Sequence, residues 1–114
     1  DIFLIGCRNV PHNPEPPAPV LGAFIGACML FGRSSIIRDV PYDPHLYFLG
    51  EEITLSARLW THGYDIYHPQ TTVMYHNVDR TTRRTHFQDH TDWARRNERS
   101  YVRVRHLMGT ERTD

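Results

Sequence analysis

Apolar and polar positions alternate along this chain in blocks that predict short elements rather than long ones. The run "DIFLIGC" (residues 1–7) predicts a short strand. The stretch "PHNPEPPAP" that follows carries five prolines in nine residues and predicts an extended, polyproline-like loop. Next comes "VLGAFIGACMLFG" (20–32), almost unbroken in apolar character, which predicts a strand covered on both faces. Gly22 and Gly26 inside it mark a close backbone approach or a bulge. "RSSIIRDV" predicts one short helical turn, with its serines as candidate caps. After the Pro-bracketed loop "PYDPHLYF", the segment "GEEITLSARLWTHG" (50–63) predicts a helix. Its first turn holds Glu51 and Glu52, Gly63 closes it, and Ile53, Ala57 and Trp60 share one face. "DIYHP" and "TTVMYH" (71–76) predict two further short strands, and residues from about 89 to 108 predict a helix broken near Arg99–Ser100. The order of elements points to a mixed α/β layer.

Composition narrows this only a little. At 114 residues with 39% hydrophobic content, the chain suffices for one domain with a modest core. Thirteen basic residues, all Arg, balance thirteen acids, so net charge names no partner. Its distribution is uneven: residues 1–79 carry four Arg against eight acids, and residues 80–114 carry nine against five. A basic tail beside an acidic body predicts internal docking or a polyanion-facing surface. Cys7 and Cys28 are too few for a disulfide framework and form no Cys-x-x-Cys motif; Cys28, set in an apolar run, reads as a small hydrophobe. The apolar run at 20–32 falls short of the roughly 20 residues a membrane helix needs. A reducing, soluble compartment is expected, and the start at Asp1, without a Met, suggests a chain cut from something longer.

Chemistry concentrates between Pro41 and His76. Carboxylates in a first helical turn complement the helix dipole, worth about 0.3–1 kcal/mol, and that alone can account for a Glu-Glu pair. Here the pair follows Gly50, where backbone can approach a ligand, and the aromatic residues Tyr42, Tyr47 and Phe48. Aromatic faces together with carboxylates that accept hydroxyl hydrogen bonds suit a sugar. His76 ends a β-like run, the kind of position where α/β proteins bind ligands, and a neutral imidazole is a good ligand for manganese or zinc. His86 and His90, at i, i+4, lack a third ligand at matching spacing and read as solvated side chains; His12, His45, His62, His68 and His106 show no ligand pattern. There is no Gly-rich phosphate loop and no nucleophile elbow. In the Arg-rich tail Asp89, Asp92 and Glu98 interleave the bases, which predicts a solvated helix laced with ion pairs rather than a nucleic-acid surface. Arg80, Arg83 or Arg84 could clamp a pyrophosphate.

The stretch "VPYDPHLYFLGEEITLSARLWTHGYDIYHP…VMYHNVDR" resembles a GlcNAc-transferase family related to the cytoplasmic enzymes that glycosylate hydroxyproline on a ubiquitin-ligase adaptor. It is more distantly similar to the polypeptide GalNAc-transferases. The resemblance is densest over residues 40–80, with looser similarity upstream in "GAFIGACMLFGRS" and downstream in "RSYVRVRHLMG". It implies that residues 1–114 are the C-terminal, acceptor-side half of a GT-A nucleotide-diphospho-sugar transferase domain, a mixed sheet with flanking helices. By the same resemblance, Glu51 and Glu52 line the junction of donor sugar and acceptor, and Tyr47, Phe48 and Gly50 belong to the substrate-binding region. The resemblance further implies that Trp60 packs near the nucleotide-sugar, that His76 is the third protein ligand of a divalent cation (manganese), and that Arg80 steadies the diphosphate. The spacing His76-x-x-x-Arg80 is one residue longer than in the GalNAc enzymes, and no Asp-x-Asp or Asp-x-His occurs upstream of Gly50, so the other metal ligands are expected outside this chain. The implied activity is metal-dependent transfer of GlcNAc, or a similar sugar, from a UDP-sugar to a protein or glycan hydroxyl in the cytoplasm. Two other expectations stand beside it: a non-catalytic carbohydrate- or nucleic-acid-binding module, and a half-domain that merely folds.

Overall fold

A computed structural model describes residues 17–75, 77 and 79–110. The predicted strand at 1–7, most of the proline-rich stretch and His76 lie outside the described residues. The rest is a small mixed α/β arrangement of a two-stranded sheet and four helices. Val20–Gly22 (β1) pairs antiparallel with Ile66–His68 (β2), with Val20 opposite His68 and Gly22 opposite Ile66. The helices are Ile36–Asp39 (α1), Glu51–Thr61 (α2), His86–Asp89 (α3) and Trp93–Leu107 (α4).

The helix at 50–63 forms as expected, and its ends show why. Gly50 takes φ 96° at the N-cap, and its carbonyl accepts the Thr54 hydroxyl at 2.8 Å. At the other end Gly63, at φ 81°, lets its N–H reach Trp60 O while the Tyr64 N–H reaches Leu59 O, both at 3.0 Å. This is a Schellman closure, and it brings Tyr64 back against Leu59 in the core. That core consists of Ile25, Val40, Leu55 and Leu59, with Ile36, Tyr64 and Ile66 packed against it.

The buried stripe of α2 is not the expected Ile53–Ala57–Trp60 face. Leu55, Ser56 and Leu59 are buried, whereas Ile53 and Ala57 are only partly covered and Trp60 is 75% exposed. Glu52, Leu55, Ser56 and Leu59 form the inward i, i+3, i+4, i+7 row, and two of its four members are polar because they serve as hydrogen-bond acceptors. The Ile25 N–H donates to Ser56 Oγ at 2.9 Å and the Ala27 N–H to Glu52 Oε1 at 2.8 Å.

Those same bonds explain why the apolar run 20–32 is not one long strand. Its ladder ends at Gly22, and the next backbone donors, at residues 25 and 27, are satisfied by side chains of α2 rather than by a neighbouring strand. Only Ile25 in the run is buried; Phe31 is 93% exposed, and Leu21, Phe24, Cys28, Met29 and Leu30 also face outward. Cys28 therefore does not act as a core hydrophobe. Residues 71–75 form no strand either.

The C-terminal helical region divides at His90–Asp92, not at Arg99–Ser100. His90 is extended (φ −113°, ψ 102°) and Asp92 starts α4. Ser100 passes through the middle of α4 because its hydroxyl returns to Arg96 O at 3.1 Å. It is fully buried, and its small side chain lets the 43–50 loop approach the helix.

Candidate functional site

The loop before α2 is pinned to α4 at three places. Asp43 Oδ2 accepts Arg103 Nε at 2.6 Å, Ser100 Oγ accepts the Tyr47 N–H at 2.8 Å, and Gly50 lies directly against Val104. Burial pushes the Asp43 carboxyl up, but hydrogen bonds from Arg103 and the His45 N–H, with the positive charge beside it, outweigh this and hold it below its ordinary value. The docked loop delivers Gly50, Glu51 and Glu52 as the start of α2.

The two acids then part company. Glu52 is tied to the Ala27 backbone. Glu51 is half-buried, and burial pushes its carboxyl above the ordinary value; the first-turn N–H groups pull it down, and the Glu52 charge adds to the rise. Tyr42 lies close enough to share this field: burial, then Glu51, then Glu52 raise its phenol. The acid pair thus has one member holding a loop and one member half-open beside a tyrosine. Gly50 is required by its own backbone angle and by Val104.

Tyr47 and Phe48 are also engaged internally. The Tyr47 hydroxyl donates to His86 O at 3.3 Å and meets His90 Nδ1 at 2.9 Å, and the Arg96 guanidinium sits 5.5 Å over its ring. Phe48 lies on His86, centroids 3.9 Å apart, and Phe87 bridges onward to Trp93 at 5.0 Å. His86 and His90 are therefore members of an aromatic box, not solvated side chains. The signal that could have found them is the aromatic pairing "YF…HF…W" across residues 47 to 93. Burial lowers the affinity of His86 for a proton, and the His90, Arg80 and Arg83 charges lower it further against the opposing pull of Asp89. Arg80 thus stands near this box, on the exposed surface.

Trp60 does not join this group. It lies nine residues beyond Glu51, roughly 13.5 Å along the helix axis. There it borders an open cleft of about 590 Å³ with Leu21, Ala57, Tyr64 and Asp65. Tyr47 and Phe48 gather at the aromatic box with Arg80 near its His86, Gly50, Glu51 and Glu52 open α2 beside Tyr42, and Trp60 is placed apart. The expected metal ligand His76 lies outside the described residues, and those residues contain no group of three or more His, Cys, Asp or Glu side chains able to hold an ion. No helix among them is long and apolar enough to cross a membrane. The tail is laced with ion pairs as expected: Arg84–Asp89 and Arg95–Asp92 at 3.2 Å, and Arg96–Asp92 at 2.8 Å.

The model of the GlcNAc glycosyltransferase family matches residues 1–114, and the chain belongs to that family. No curated protein and no solved structure matches it.

Proposed function

We propose that the chain is the acceptor-side half of a GT-A domain that transfers GlcNAc, or a closely similar sugar, from a UDP-sugar to a hydroxyl of a protein or glycan. The observation that carries this beyond family membership is the division of labour at the start of α2. Glu52 holds the 25–27 loop, while Glu51 stays half-open beside Tyr42 with its proton affinity raised. A carboxylate in that state suits accepting a hydrogen bond from an acceptor or sugar hydroxyl and supporting positive charge on a departing sugar. Tyr42, about half exposed, offers ring surface beside it.

A divalent cation, manganese in this reading, supplies charge neutralisation to the leaving diphosphate when bound. His76 would contribute one ligand. The described residues provide no cluster to complete the shell. Arg80 and Arg83, next to His86, supply positive charge for the diphosphate. A cytoplasmic setting belongs to the same reading.

The test is transfer of labelled GlcNAc from UDP-GlcNAc by the full protein with manganese. Glu51→Gln should lower turnover by roughly 10²–10⁴-fold, the scale of acid–base assistance. Glu52→Gln, which keeps an acceptor oxygen for Ala27, should lower it far less. Equal activity of Glu51→Gln and the parent would remove Glu51 from the mechanism. A non-catalytic carbohydrate-binding module is the competing reading, favoured by one feature: the exposed Trp60 beside a cleft remote from the acids. Glycan binding lost in Trp60→Ala, with no transfer under any condition, would select it.

A further inference from the structure

A second basic feature lies apart from Arg80 and Arg83. One flank of α4 and the tip of the 43–47 loop border an open, solvent-facing pocket of about 320 Å³ lined by His45, Asp92, Arg95, Arg96 and Arg99. That volume is at the small end of the range in which ligands sit, about 300–1,000 Å³. Three arginines and one carboxylate line it. Asp92 takes Arg95 at 3.2 Å and Arg96 at 2.8 Å, which leaves Arg99 without an ionic partner among the described residues. Among these arginines and Asp92, three positive charges against one negative leave an excess of two.

The pocket is held in shape from below. The His45 N–H donates to Asp43 Oδ1 at 3.0 Å, and the other oxygen of Asp43 is locked to Arg103. Tyr47, two residues on, is held by Ser100, and Arg96 is further steadied over the Tyr47 ring. The loop that carries His45 is thus anchored on both sides of it, while the arginines stand at the surface with Asp92 between Arg95 and Arg96.

We propose that this pocket is a binding site for a phosphate-class dianion. An excess charge of two and several guanidinium forks suit the three oxygens of a phosphoryl group better than a single carboxylate, which one bidentate pair already satisfies. Asp92 acts as an internal stand-in for the ligand: it holds Arg95 and Arg96 in place and competes with the incoming anion. Arg99 is the unshared contact.

The test is titration of the full chain with inorganic pyrophosphate and with inorganic phosphate at about 0.15 M salt, where weak surface attraction is screened. Arg99→Ala, at an exposed position, should weaken binding roughly tenfold or more. Asp92→Asn keeps a residue suited to a helix start and should tighten binding, because the internal competitor is gone. Unchanged binding in Arg99→Ala, or weaker binding in Asp92→Asn, overturns the proposal. Competition then identifies the source: displacement by UDP assigns the pocket to the donor's diphosphate, and displacement by a phosphoserine peptide but not by UDP assigns it to a phosphorylated acceptor. Since binding is read without turnover, failure here leaves the transferase reading standing, and failure of that reading leaves this site standing.

Discussion

Gly50 and Val104 interlock: the backbone of Gly50, at φ 96°, fills the place where any side chain would collide with Cγ2 of Val104. Gly50→Ala should therefore cost about 2–4 kcal/mol, from the left-handed backbone and from overpacking together. Urea melts of Gly50→Ala alone and with Val104→Ala separate the two, since the second change relieves only the collision. A Gly50→Ala variant as stable as the parent would contradict the packing described.

Ser56 is the acceptor for a buried backbone donor. Replacing it with Ala strands the Ile25 N–H in the core and should destabilise the fold by about 1–3 kcal/mol. Hydrogen exchange at the Ile25 amide should quicken in step. A melt within error of the parent would show that this amide has another partner.

Asp43 makes the fold sensitive to acid. Its carboxyl binds protons more weakly when folded than its ordinary value of 3.8, so the unfolded chain takes up more protons and stability falls as pH drops. The contribution is full above about that value and is lost as pH falls through the lower, folded one. Asp43→Asn should cost about 1–2 kcal/mol at neutral pH, the Arg103 end being partly solvated, and should flatten the acid limb of a stability–pH profile.

Glu51 should act with the opposite sign. Its folded carboxyl binds protons more tightly than the ordinary 4.5, so its contribution is present below that value and lost as pH rises through the raised one. Glu51→Gln should be at least as stable as the parent at pH 7 while turning over more slowly. A Glu51→Gln protein that is both less stable and less active would mean the residue is part of the scaffold.

Helix α2 and its caps were legible because the signals are local: a glycine at each end and acids in the first turn. Its inward face was not, because half of that row, Glu52 and Ser56, is polar for a tertiary reason no periodicity carries. The apolar run 20–32 misled in the converse way. Hydrophobicity suggested cover on both faces, but the cover depends on neighbours, and α2 reaches the run with two side chains instead. Ser100 looked like a helix breaker, yet its partner across the loop, Tyr47, is 53 residues away. At the site, the acid pair and the aromatic approach could be picked out by type, but which acid is left open depends on Ala27, a residue with no chemistry of its own. The arginine pocket was hidden because its shape needs His45 brought over α4 by Asp43 and Arg103.

The grip of α2 on residues 25 and 27 has a further consequence. A β-ladder joins backbone to backbone and is nearly indifferent to which residues take part, so its register survives most substitutions. Here two backbone amides answer to one hydroxyl and one carboxylate, and the address of that loop is spelled out in side chains. It can be rewritten at two codons, one of which sits next to the glutamate proposed to meet the sugar.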